Sequence, residues 1–187
     1  MIRQLVVRNR SYRRFKQQTP ISKQTLRHIV DLARVSASAA NLQNLRYWLV
    51  DNPHKGLFKC LKWANYLKDW NGPLEGERPA AYIIVLAPRS CSKYCYIDTG
   101  IACQSMLLGA TELGMGGCMM AAVDREKVHE ILAIPNEWEI VLVIALGVPN
   151  EEVVIDNIGA DGNIEYWRDE RDRHHVPKLD LNTLILN

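Results

Sequence analysis

Cys95-Tyr96-Ile97-Asp98-Thr99-Gly100-Ile101-Ala102-Cys103-Gln104-Ser105-Met106-Leu107-Leu108-Gly109-Ala110-Thr111-Glu112-Leu113 is the stretch that decides how this chain folds. Ile101, Ser105, Leu108 and Glu112 follow one another at helical spacing, yet most of the other faces are apolar too. A helix apolar nearly all round belongs in a core or an interface. Gly114, Gly116 and Gly117 predict its end and a tight turn after it. Outward from it, residues 80–87 and 139–146 are short runs rich in Ile and Val, the signature of buried strands. Tyr47-Trp48-Leu49-Val50 reads as another strand, stopped by Asn52-Pro53. Apolar residues at helical spacing predict helices over 2–8, 23–35 and 54–67, the second capped by Ser22. Asp124 caps a further helix over 125–132. Residues 68–79 read as a loop, and residues 153–157 and 163–167, flanking Gly159-Ala160-Asp161-Gly162, as a hairpin. Helices and strands mix without strict βαβ alternation, so the class is α+β.

A chain of 187 residues is expected to form one domain over 1–187. Hydrophobic residues make up 48%, enough for a real core and too many for disorder. A net charge of +2 argues against nucleic acid as a partner. The five cysteines, Cys60, Cys91, Cys95, Cys103 and Cys118, are odd in number and irregular in spacing. Free thiols in a reducing cytosol are therefore expected, with Cys103 and Cys118 in the core. The longest apolar run is residues 80–87, too short for a membrane span, and the start has no apolar run of signal-peptide length. The expected location is the cytoplasm.

Basic residues bunch in Asn9-Arg10-Ser11-Tyr12-Arg13-Arg14-Phe15. A guanidinium is a planar fork of donors that fits phosphate bidentately, and Ser11 adds a small donor beside it. Alone, the stretch fits either an anion site or a solvated basic face.

Four segments in order resemble the FMN-dependent nitroreductase family: Asn9–Phe15; Ser36-Ala37-Ser38-Ala39-Ala40-Asn41-Leu42-Gln43-Asn44; Asp98–Leu108 with Gly114–Cys118; and Ala145-Leu146-Gly147-Val148-Pro149. The resemblance implies a nitroreductase-like α+β fold with a mostly antiparallel central sheet flanked by helices. It implies a domain-exchanged homodimer with FMN at the interface, and residues 151–187, a hairpin and C-terminal arm, packed on the partner. The glycines at 114, 116 and 117 fit no dinucleotide or P-loop motif, since they follow a helix rather than a strand.

By the same resemblance, Arg10, Ser11 and Arg13 would hold the FMN phosphate and ribityl chain, with Asn9 beside them where the family often has arginine. Arg14 would face solvent. Ser38, Asn41 and Gln43 would line the flavin edge, in a loop whose family prolines are Ala37 and Asn44 here. The backbone at Met120 and Ala121 would lie against the ring, with the Met119 and Met120 side chains in the core. Lys178 would reach the phosphate; Asp180 stands where a second basic residue is common, and Arg168 is an outside candidate. His174 and His175 are neighbours in sequence, which rarely point together, and no carboxylate spacing makes them a metal site. No His, Cys or carboxylate stands out as a general acid, so the chemistry would be that of FMN N5. The activity implied is ping-pong hydride transfer from NADH or NADPH to a nitroaromatic, quinone or similar small-molecule acceptor. Same-fold flavin chemistry such as dehalogenation or flavin breakdown stays open, with residues 68–79 the candidate lid. A non-catalytic FMN-binding protein and a basic-patch interaction domain stay open as well.

Overall fold

In the computed structural model, which describes residues 1–187, the apolar runs become strands β1 (Arg46–Val50), β2 (Ala81–Pro88), β3 (Gly116–Met120) and β4 (Trp138–Gly147). They form one antiparallel sheet in the order β1-β2-β4-β3. The helices are α1 (Ile2–Arg8), α2 (Lys23–Arg34), α3 (Lys55–Lys59), α4 (Tyr94–Glu112), α5 (Arg125–Leu132) and α6 (Leu181–Leu184). This is the expected α+β class, with an antiparallel sheet flanked by helices.

The unbroken apolar run of β2 follows from cover on both faces. Side chains alternate along a strand. Ala81, Ile83 and Val85 join the core under α2 and α4, with Leu26, Ile29, Cys103, Met106 and Leu107. Tyr82, Ile84 and Leu86 join the other core, with Leu57 of α3 and Val128 of α5. Each fully buried Leu, Ile or Met contributes on the order of 1.5–3 kcal/mol of transfer free energy, so neither face of β2 could be polar. Caps fall where the sequence puts them: Ser22 Oγ accepts from Thr25 N–H at 3.0 Å, and Asp124 Oδ1 from Lys127 N–H at 3.2 Å. Gly114 takes a φ of +75° after α4, Met115 N–H returns to the Ala110 carbonyl at 2.8 Å and Gly114 N–H to that of Thr111 at 3.1 Å. This double return closes the helix, and the left-handed residue it needs is glycine.

The structure departs from expectation at several places. The helix expected over 54–67 stops at Lys59. Leu61 bridges to Val123 and Lys62 N–H donates to the Ala122 carbonyl at 3.0 Å, so tertiary pairing captures the backbone after one turn. Gly116 and Gly117 are strand residues of β3, not part of a turn. The hairpin does not form. β5 (Val153–Asn157) pairs in parallel with β7 (His174–Lys178), and β6 (Trp167–Arg168) lies antiparallel on β7's other edge. Asp161 and Asn163 side chains accept from the N–H groups of Asn163 and Glu165, groups a hairpin ladder would need. Cys91 and Cys95 are joined as a disulfide at the start of α4, whereas Cys60, Cys103 and Cys118 are free and buried. The apolar tail finds no cover on its own chain: Leu181, Leu184 and Leu186 are 68%, 62% and 98% exposed. Ile97 and Ile101 on α4 are also exposed. No helix is long and apolar enough to cross a membrane.

Candidate functional site

The arginine-rich segment after α1 is laid along the sheet as extended chain. Ser11 bridges to Gly117, Tyr12 N–H donates to the Gly117 carbonyl at 3.1 Å, and Phe15 N–H to that of Glu77 at 2.9 Å. Glycines make this approach possible. A Cβ on Gly116 would lie 2.4 Å from the Tyr12 ring, and one on Gly147 would lie 2.7 Å from the fully buried Phe15. From the other side Glu151 clamps the segment. Its Oε1 accepts from Arg13 N–H and from Arg14 N–H at 3.0 Å, and its Oε2 from Arg168 Nη2 at 2.9 Å.

This seating gathers Asn9, Arg10, Ser11, Arg13 and Lys178 around one cavity of about 340 Å³, together with Gln104, Met119, Tyr166 and His174. No carboxylate lines it. Arg10 Nη2 donates to the Val6 carbonyl at 2.6 Å, while its buried Nε has no partner. Arg13 Nη1 donates to the Ser11 carbonyl and to His174 Nε2, both at 3.1 Å, and its guanidinium lies over the Tyr166 ring, 4.7 Å from the centroid. Burial, with Arg13 and Arg168 nearby, pushes the His174 pKa down to about 4, so the ring is neutral at pH 7 and its Nε2 can accept. Three cationic side chains with no acid among them, one carrying an orphaned buried donor, give this cavity the chemistry that suits an anion.

Two neighbours differ from expectation. Arg14 does not face solvent: it is 16% exposed, lies over the Trp70 ring and pairs with Glu77 and Asp172. Arg168 is 11% exposed and bound to Glu151, so it belongs to the clamp rather than to the cavity.

The second set of expected contacts lies elsewhere. Ser38 Oγ donates to Asp98 Oδ2 at 2.9 Å and accepts from Gln43 N–H at 3.0 Å; Ala39 N–H donates to Asp98 Oδ1 at 2.9 Å. The buried Asp98 carboxylate thus holds a loop in which Ala40, Asn41 and Gln43 all take left-handed φ values near +50°. Such residues cost on the order of 1 kcal/mol or more each and persist only where surroundings impose them. Ser38 and Gln43 border a separate cavity of about 270 Å³, with Tyr47, Asp98 and Ala102; Asn41 is exposed and lines neither cavity. Burial pushes the Tyr47 hydroxyl and the Cys103 thiol each up to about 12, so neither is an acid or a nucleophile at neutral pH. Asp98 and Ala102 face this cavity, while Gln104 and Leu107 face the basic one. At roughly 100° per residue those pairs sit on different sides of α4. Within one chain, then, the structure does not bring the two sets together. Met120 is buried as expected and Ala121 is exposed, but Met119 is 38% exposed and lines the basic cavity instead of packing in the core.

Sequence reading missed Asp98, Glu151, Tyr166 and His174 as supports of these sites. The available signal was strand alternation at His174-His175: His174 faces Arg13, whereas His175 turns to Asp156 at 2.6 Å and Asp169 at 3.3 Å, and stacks on Trp167.

Comparison with known proteins gives a match to the family model described as "Nitroreductase family" over residues 6–73 and 57–148. An Archaeoglobus fulgidus protein assigned by name as an NADH dehydrogenase/NAD(P)H nitroreductase is 27% identical over 142 residues, 71% of this chain and 76% of its own. An FMN-dependent nitroreductase from Clostridium difficile superposes with a TM-score of 0.65 at 24% identity, over 81% of this chain and 89% of that one. A nitroreductase family protein from Streptococcus pneumoniae superposes with a TM-score of 0.67 at 16% identity, over 81% and 92%.

Proposed function

Because the chain belongs to the nitroreductase family, we propose that it is an FMN-dependent NAD(P)H oxidoreductase acting on nitroaromatics, quinones or similar small acceptors. The observation that carries this reading is the convergence of Arg10, Arg13 and Lys178 on one carboxylate-free cavity. The fit to a flavin mononucleotide phosphate is chemical. A dianion would find two guanidinium forks, one ammonium, the Ser11 hydroxyl, and the unpartnered Arg10 Nε. Asn9 lines the same wall and contributes an amide without charge. Bound FMN would supply the redox chemistry, accepting a hydride from NADH or NADPH and passing it on.

The protein's part is binding, orientation and shielding. Met119 and Met120 end β3 and Ala121 follows; with Met119 lining the basic cavity, this backbone would be the one the flavin ring lies against. The Ser38–Gln43 loop, held by Asp98, is on the far side of α4. In this reading a second subunit supplies that loop, so a homodimer completes the site. The exposed Ile97 and Ile101 on α4 and the uncovered tail from Leu179 to Leu186 are the surfaces such a dimer would bury.

The test is the visible spectrum of the purified protein titrated with FMN, then treated anaerobically with NADH and NADPH. Flavin bands that saturate near one FMN per chain and bleach with either nucleotide are expected. Binding without bleaching would leave a flavin carrier and overturn the enzyme reading. Failure to bind would overturn the site itself. Light scattering that gives a monomer with FMN fully bound would remove the dimer.

A further inference from the structure

His174 is the first residue of β7, and only 1% of its surface is exposed. A buried imidazole needs partners for two nitrogens. Nε2 meets Arg13 Nη1 at 3.1 Å, and Nδ1 has none. A guanidinium only donates, so in that contact Nε2 must be the acceptor and the ring proton must sit on Nδ1. The charged and titratable groups around the ring are Arg13 from the N-terminal segment, Arg14 beyond it, Arg168 of β6, Tyr166 just before β6, and its neighbour His175. No carboxylate touches the ring: Glu151 is bound to Arg168 and to the Arg13 and Arg14 backbone, and Asp172 to Arg14. Everything facing His174 therefore favours the neutral form.

Arg13 Nη1 is fully engaged by His174 and the Ser11 carbonyl, while Nε and Nη2 make no hydrogen bond within the protein. Tyr166 covers one face of the guanidinium. A long, rotamer-rich side chain is thereby held at one edge with the other edge free, the arrangement bidentate anion binding requires. We propose that His174 is the positioning residue for the anion-binding guanidinium of Arg13, acting as a neutral Nδ1–H imidazole whose Nε2 fixes the fork in the basic cavity. The proposal rests on the FMN reading of that cavity. His174 does not touch the ligand; it works through Arg13.

The experiment is a double-mutant cycle on FMN affinity, read by quenching of flavin fluorescence, with ¹⁵N NMR of histidine-labelled protein. His174→Leu, which has no acceptor, should weaken FMN binding about tenfold, the loss expected for one hydrogen bond to a charged group. His174→Gln, which keeps an acceptor oxygen, should recover binding to within about threefold of wild type. In an Arg13→Ala background His174→Leu should change affinity less than about twofold, since the group it orients is gone. The ¹⁵N shifts of wild type should show the Nδ1–H tautomer, unprotonated at pH 6, a readout that requires no variant to fold. Equal losses from His174→Leu with and without Arg13, or an Nε2–H tautomer, would overturn the proposal alone. FMN binding insensitive to Arg13→Ala would instead overturn the placement of the phosphate, and absence of FMN binding in wild type would overturn the reading on which both depend.

Discussion

Removing the Glu151 carboxylate should undo the seating of the arginine segment, and the structure sets the size of the effect. Its side chain is 1% exposed and accepts three hydrogen bonds, from Arg13 N–H, Arg14 N–H and Arg168 Nη2. In Glu151→Ala, Arg168 stays only 11% exposed and over the Trp70 ring, but its one remaining ion pair is a long contact to Asp172, at 3.7 Å. Breaking a buried pair by removing one partner costs about 3–5 kcal/mol, and each orphaned backbone N–H adds about 1–3 kcal/mol where water cannot replace the acceptor. These terms overlap, so the expected loss is about 4 kcal/mol. For a chain of 187 residues, that is roughly 8–16 °C in melting temperature. Glu151→Gln keeps one carbonyl oxygen for the backbone donors and loses the charge facing Arg168, so about half that loss is expected. Thermal unfolding by circular dichroism and urea titration of wild type and both variants would measure it. A Glu151→Ala protein within about 0.5 kcal/mol of wild type would refute the clamp, being no more than an ordinary surface change. A glutamine variant as damaged as the alanine one would refute the part given to the backbone donors and leave only the ion pair.

Acid should destabilise the protein through His174. Its pKa falls from 6.5 to about 4 on folding, so between those values the unfolded chain binds a proton that the folded chain does not. Stability contributed by the neutral ring is complete above pH 6.5 and is lost at roughly 1.4 kcal/mol per unit as pH falls toward 4. Urea midpoints at pH 7 and pH 5 should converge in His174→Gln, and an unchanged acid slope in that variant would remove His174 as its source. Gly147→Ala should cost about 1–3 kcal/mol and weaken FMN binding, because the new methyl meets a Phe15 ring that has nowhere to go. Unaltered melting would show that the segment can shift instead. Arg10→Ala should lower FMN affinity about tenfold or more while Arg14→Ala leaves it within about twofold, since Arg14 is already spent on Glu77 and Asp172. Equal losses would mean that the anion is not held by the cations lining the cavity.

The parts of this fold that were legible in the sequence are those set by nearest-neighbour physics. Ser22 and Asp124 cap helices because a short side-chain acceptor three residues upstream is enough. β2 declares itself because burial on both faces forbids polar residues along its length, and α4 because most of its positions are small or apolar although only one side of it joins the core. The basic segment was legible in part for a related reason: Asn9, Arg10, Ser11 and Arg13 are near neighbours in sequence and reach one cavity, whereas Arg14 between them and Phe15 is drawn off to Glu77 and Asp172. What failed depended on partners far away in sequence. The 54–67 stretch has helical spacing, but a bridge from Leu61 to Val123 takes its backbone. The turn at Gly159–Gly162 forms, with Gly162 N–H on the Gly159 carbonyl at 3.0 Å, yet the strand that pairs next to β5 is β7. Glu151 and His174 act on Arg13 across separations of 138 and 161 residues, which no local pattern announces.

The pattern of ion pairs explains why one group of cations is left for a ligand. Around the seated segment the nearby carboxylates choose among the basic side chains. Glu77 and Asp172 take Arg14, and Glu151 and Asp172 take Arg168. None takes Arg10, Arg13 or Lys178, and these three line the cavity. A folding chain seeking only its own neutrality would pair the nearest charges, and Glu151 is near enough to bond the Arg13 and Arg14 backbones. Its oxygens are instead filled by two N–H groups and by the guanidinium of Arg168, so it has little left to offer the side chain of Arg13. The neutral His174 then meets that guanidinium where an acid would have cancelled it. Holding a cation with an acceptor that bears no charge keeps its field directed into the cavity. That arrangement raises the self-repulsion of the empty protein and would lower it if a dianion entered, so in the proposed reading affinity for phosphate would be built from the choice of partners outside the cavity as much as from the residues that line it.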